Sequence, residues 1–165
     1  KVVEWILEAM RRTGDPRWRL LVIGPITDTL SGLMGGPMGA RIVAAGAKPS
    51  TEMPRWLGAG DLTVLPLADD LLAQSQVPCK VYEAMAMGLP VLASEVSDLS
   101  EIVAGAGATF PAGDVEALAG LLRQWFRDPS AVAVHAREAR RRAVELYGVD
   151  VMRNQLQAAV DRLAK

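Results

Sequence analysis

At 165 residues the chain is one domain's worth, long enough to bury roughly two thirds of its unfolded surface. It is 50% hydrophobic and 22% charged, which excludes a disordered chain, and 18 basic against 19 acidic side chains leave a net charge of -1, so nothing in the totals suggests nucleic acid. One cysteine excludes a disulfide framework and fits a reducing, cytoplasmic compartment, and no apolar run approaches the ~20 residues that span a membrane.

The first predicted element is a helix over 2–13. Val2 or Val3, Ile6, Ala9 and Met10 recur at helical spacing, and Gly14-Asp15-Pro16 ends it. It has no N-cap residue, no start methionine and no signal-peptide layout, so the chain is expected to be a piece of a longer protein. Residues 19–24 are a short apolar run closed by Gly24 and Pro25, the pattern of a buried strand. Residues 25–39 read as a loop with one helical turn at 28–33, and 41–46 as a second strand. A short helix over 51–57 stops at Gly58 and Gly60. The third strand, 61–66, ends in Pro66, with Asp69 and Asp70 in the loop beyond it.

A helix over 78–87 then stops at Gly88, and an apolar strand, 90–93, begins at once. A short helix at 99–103 and a weak strand at 108–110 follow. Asp114 is a natural N-cap for a helix to 126. Helices over 129–147 and 150–163 close the chain, the first stopped by Gly148. Strands that alternate with helices and read as continuous apolar runs predict a parallel sheet covered on both faces. Five of them with right-handed crossovers make one Rossmann-like, doubly wound α/β domain with helices at its C-terminal end.

In such sheets ligands sit in the crevice at the carboxyl ends of the strands. The loops after Gly24, Gly46, Pro66 and Ala93 lie on that edge, together with the start of the 78–87 helix. Free N–H groups at a helix start bind anions, phosphate above all. Val77-Pro78-Cys79-Lys80 would present them, with Pro78 at the first helical position. Glu83 follows about one turn later, within reach of ribose hydroxyls. It stands between apolar residues, where an unpartnered charge would be costly. The spacing leaves a second reading equally open, a Glu83 paired with Lys80 or with a backbone donor.

The run Lys80-Val-Tyr-Glu-Ala-Met-Ala-Met-Gly-Leu-Pro-Val-Leu-Ala-Ser94, followed by Glu101-Ile-Val103, closely resembles the C-terminal, donor-binding domain of GT-B glycosyltransferases. The likeness is to the large retaining group often called family 4 or group 1. It extends over nearly all of the chain, through Val22-Ile-Gly24, Ala45-Gly46-Ala47-Lys48, Ala59-Gly60-Asp61 to Pro66, and Gly113-Asp114 to Ala119. The resemblance implies that Glu83 holds the nucleotide ribose and that the amides of Cys79 and Lys80, after Pro78, meet the diphosphate. It implies that Gly24, Ala47 and Lys48 line the donor site, with the last two beside the base. Lys1 aligns with the family lysine that neutralises the diphosphate, although Val2 stands where a glycine normally follows. Ser75 occupies the position of a second family glutamate, eight residues before Glu83, that contacts the donor sugar. A subgroup that reads proline-small-lysine, as Pro78-Cys79-Lys80 does, also lacks that acid.

The implied protein is the donor half of a hexosyltransferase-type enzyme of cell-surface glycan synthesis. It moves a sugar from a nucleotide diphosphate donor to a saccharide or lipid-linked acceptor. The acceptor would bind through an N-terminal domain outside this chain, and the isolated chain would bind without catalysing. No cofactor and no metal are implied, since helix-end amides and basic side chains take up the charge on the leaving diphosphate. Catalytic residues, base and sugar stay unassigned, and so does peripheral association of the full-length protein at the inner membrane face. Two alternatives stay open, a sugar-nucleotide epimerase of the same shape and a non-catalytic nucleotide-binding module.

Other features read as scaffold. Gly35-Gly-Pro-Met-Gly39 is no dinucleotide fingerprint, because no strand leads directly into it. His135 is expected on a solvated helix face, and Cys79 as a small loop residue. Arg140-Arg-Arg142 could meet anionic lipid, but an inward stripe of Ala136, Ala139, Ala143 and Leu146 makes ordinary surface the better reading. A nicotinamide site fails for want of a glycine-rich turn after the first strand. A phospho-receiver fails because Asp61 starts its strand rather than ending it.

Overall fold

Strand and helix alternate along the chain because apolar runs and amphipathic segments do. In the computed structural model, which describes residues 2–163, the strands are β1 (Leu20–Ile23), β2 (Ile42–Gly46), β3 (Thr63–Leu65), β4 (Val91–Ser94) and β5 (Gly107–Phe110). The helices are α1 (Val2–Thr13), α2 (Asp28–Met34), α3 (Met53–Leu57), α4 (Leu71–Gln74), α5 (Cys79–Ala86), α6 (Leu99–Ile102), α7 (Val115–Arg127), α8 (Pro129–Glu145) and α9 (Val149–Leu163). Each strand pairing is parallel, as expected of an α/β fold. Instead of one five-stranded ladder there are two: β1 bonds to β2, and β3, β4 and β5 form the other.

β4 explains why a fully apolar strand follows the α5 helix so closely. All four of its residues are buried. Side chains alternate across a strand, so Val91 and Ala93 enter one core with Val81, Ala84, Met85, Leu99 and Ile102. Leu92 enters the other with Ile6, Met10, Phe110, Leu118 and Leu122. Helices α5, α6 and α8 cover one face, α1 and α7 the other. No helix among the described residues is long and apolar enough to cross a membrane.

Three local expectations need correction. The single turn predicted near 28–33 is a helix of seven residues, capped by Thr27, whose side chain accepts from Leu30 N–H, and held by the burial of Leu30. The loop after β3 contains α4, which starts because Asp70 Oδ1 accepts the Ala73 N–H at 2.8 Å. His135 is half-buried rather than solvated: its ring stacks on Trp125 at 5.3 Å, and its Nδ1–H donates to the Gly105 carbonyl at 2.8 Å.

The arginines of α8 are also more than a wet face. Arg140 donates to the Ala86 carbonyl at the end of α5. Arg142 donates to Glu101 O at 2.8 Å and to Ile102 O at 3.3 Å, at the end of α6. Helix C-termini carry unpaired carbonyls and partial negative charge, so these guanidiniums close both helix ends. Arg142→Met keeps the stem and removes both bonds. It is expected to cost about 1.5 kcal/mol, a fall of about 3–6 °C in Tm by thermal circular dichroism. An unchanged Tm would mean that water replaces the guanidinium at no cost.

Candidate functional site

The carboxyl ends of β1 to β4 carry the residues singled out from the sequence. Gly24 has φ of 150°, a backbone setting that side chains disfavour, and its N–H donates to Gly46 O at 3.0 Å. That bond ties the ends of β1 and β2 together and leads the chain directly into Ala47 and Lys48. Ala47 is exposed. Lys48 is half-buried, with Nζ 4.5 Å from the centroid of the Trp56 ring. Trp56 Nε1–H in turn donates to Glu52 at 3.4 Å, so a cation and an indole ring stand together beside this loop.

The start of α5 is left open. Pro78 is its N-cap, with φ −64° and ψ 127°, and not the first helical residue. The extended ψ keeps Pro78 outside the helix, and a proline side chain cannot cap. Val81 N–H bends back to Pro78 O at 3.1 Å, but among the described residues the N–H groups of Cys79 and Lys80 meet no acceptor. Val81, Ala84 and Met85 take the inward face at helical spacing. Cys79, Lys80 and Glu83 are exposed, with Glu83 four residues from Cys79 and three from Lys80, hence on one face. At 1.5 Å rise per residue, Glu83 lies roughly 6 Å along the axis from Cys79.

The expectation that Glu83 sits in apolar surroundings is therefore wrong. Its flanking apolar neighbours point inward, and its carboxylate points away from them. The alternative pairing is absent too: among the described residues Glu83 has neither a hydrogen bond nor an ion pair. Tyr82, beside them on the helix, packs on Tyr147 at 4.9 Å, and burial raises its hydroxyl pKa, so this contact holds the flank of α5 next to the exposed groups.

Ser75 ends α4 and is exposed, its Oγ–H donating to the Leu72 carbonyl at 3.0 Å. Lys1 lies outside the described residues. Three further residues shape this edge through contacts that the sequence does not signal. Ser94 is fully buried, and its Oγ accepts Leu67 N–H at 2.9 Å. Gln74 joins two loops: Nε2 donates to Asp69 Oδ1 at 2.6 Å and Oε1 accepts Ser97 N–H at 3.2 Å. Ser97 itself has φ of 52°, in the left-handed region. Ser94 closes the run that resembles the family, but neither periodicity nor that motif marks its bond to Leu67 or the bond between Gln74 and Ser97, because the partners are distant in the chain.

A family model described as "Glycosyl transferases group 1" matches residues 1–128. The amylovoran biosynthesis glycosyltransferase AmsK of Erwinia amylovora is 31% identical over 122 residues, 72% of this chain and 30% of that relative. Among solved structures, sucrose-phosphate synthase from Thermosynechococcus elongatus superposes with a TM-score of 0.84 at 23% identity, over 99% of this chain and 42% of that one. Anabaena HepE in complex with UDP and glucose gives 0.80 at 19% identity, over 96% and 44%. The chain thus spans well under half the length of these relatives.

Proposed function

The chain belongs to the glycosyl transferases group 1 family, and from that premise we propose that it is the donor-binding half of a transferase that takes a sugar from a nucleotide diphosphate. One observation carries the reading: the amides of Cys79 and Lys80, which meet no acceptor among the described residues, share an exposed face with Glu83, unpartnered among those same residues, at the carboxyl edge of the strands. Amides of this kind donate to phosphate oxygens, and a free carboxylate one turn away accepts from ribose hydroxyls. Lys48 beside Trp56 fits the neighbourhood of the base, and we assign Gly24, after β1, and Ser75, after α4, to the rim of the same donor site. Amides and lysines then take up the diphosphate charge with no cofactor.

The relatives run well beyond the matched stretch, and we assign the acceptor and the facing wall of the cleft to that remainder. AmsK is named for amylovoran biosynthesis and HepE was solved with UDP and glucose, which supports a uridine nucleotide donor and a role in glycan synthesis; the acceptor we assign is a saccharide or a lipid-linked one. The single cysteine suits a cytoplasmic site of action, at the membrane face where lipid-linked acceptors are reached.

The test compares UDP, GDP, ADP and CDP with their nucleosides. A donor held from one side should bind at a Kd of about 1 mM, so a tenfold excess adds about 1.4 kcal/mol and raises Tm by about 3–5 °C. The nucleosides should bind far more weakly and give a much smaller shift, and the amide signals of Cys79 and Lys80 should respond to the diphosphates and barely to the nucleosides. Equal responses to nucleoside and diphosphate would remove the phosphate role from the start of α5.

A further inference from the structure

We propose that Gln74 is a positioning residue for the diphosphate, acting through the loops after β3 and β4 rather than by touching the ligand. The proposal rests on the donor-binding reading above. Residues 66–78 carry the chain from β3 to α5, and they are fastened at both ends. Near the start, Leu67 N–H is held by Ser94 Oγ, which is 0% exposed. Near the end, Gln74 uses both halves of its amide, as donor to Asp69 and as acceptor from Ser97 N–H.

Two features make that second fastening unusual. Gln74 is exposed, and ordering a long polar side chain in water sacrifices rotamer freedom, which its two bonds must offset. Ser97 holds a left-handed backbone without being glycine. Such a conformation persists only where the surroundings dictate it, and it gathers at functional sites. The Gln74 carbonyl oxygen, bonded to the Ser97 N–H, is a constraint of that kind.

The link from Gln74 to α5 is short and stiff. Only Ser75, Gln76, Val77 and Pro78 separate it from Cys79. Proline fixes its own φ and restricts the residue before it, and Val77 packs into the core with Val81 and Met85. A shift at the end of α4 therefore passes to the amides of Cys79 and Lys80. Through Ser97 the same glutamine sets their distance from the loop after β4. A diphosphate, with two anionic groups, depends on that spacing; a nucleoside does not.

The experiment titrates the chain and its variants Gln74→Ala, Gln74→Glu and Asp69→Asn/Gln74→Glu with UDP, GDP, ADP and CDP and with the four nucleosides, read by amide chemical shifts. Gln74→Ala should weaken the best diphosphate about five- to tenfold, with nucleoside binding unmoved. Gln74→Glu should weaken it as well, because the introduced carboxylate faces Asp69. Adding Asp69→Asn should restore affinity: the new amide donates to the introduced carboxylate, whose other oxygen still accepts Ser97 N–H. A merely structural role would lower Tm without changing the ratio of diphosphate to nucleoside affinity, and it would show no rescue. Wild-type affinity in Gln74→Ala overturns the positioning role and leaves the donor reading standing. Failure of the unmutated chain to bind any of the four diphosphates brings down the donor reading, and the positioning role with it.

Discussion

Gly107→Ala is expected to lower stability by more than about 3 kcal/mol, or a fall of about 6–12 °C in Tm. Gly107 opens β5 and stands opposite Val91 in the register with β4. A Cβ at this position would lie 1.8 Å from Val91 O, 2.8 Å from Val91 C and 2.9 Å from Val91 N. Every obstacle is backbone, so no rotamer change relieves the clash and the strands must part. β4 supplies buried side chains to both cores, so the damage reaches each of them. Gly120, on α7, is the control: a Cβ there meets nothing within 4 Å, and alanine should stabilise the helix by about 0.5–1 kcal/mol. Thermal melts of the two variants test this. A Tm for Gly107→Ala within about 2 °C of the parent would mean that the strands separate at little cost.

Glu83→Gln is expected to weaken nucleoside diphosphate binding about ten- to a hundredfold, by removing charge-assisted bonds to ribose of ~1.5–3 kcal/mol. The fold should not notice. Glu83 is exposed and unpartnered among the described residues, so an amide of the same shape leaves no buried group unsatisfied. Loss of affinity at constant Tm separates a ligand contact from a scaffold residue. Calorimetric titration showing equal affinity would leave Glu83 as ordinary surface.

The local elements that carry the candidate site were legible because they depend on local chemistry. Pro78 before a run of helix formers, Glu83 one turn on, and Gly88 as a stop are all local signals. The α4 turn was missed although its cap, Asp70, was in view. Leu71 and Leu72 are 90% and 68% exposed, so no buried stripe marks the turn, and α4 follows its cap rather than an apolar face. Arg140 and Arg142 were misjudged for a related reason. Their acceptors are helix-end carbonyls some 40 or more positions away, and a backbone oxygen leaves no mark on sequence.

The amino-acid sequence by itself determined the α/β class, the parallel strands and the edge on which the candidate site lies. Periodicity, caps and glycine stops act within a few residues, and these features need nothing more. Tertiary structure alone decided which way Glu83 faces, that Cys79 and Lys80 keep amides free among the described residues, and that Gln74 joins two loops. Those outcomes depend on which groups from distant segments arrive within hydrogen-bond distance of one another. Side-chain burial and hydrogen bonding are properties of that meeting, and only the packed chain brings it about.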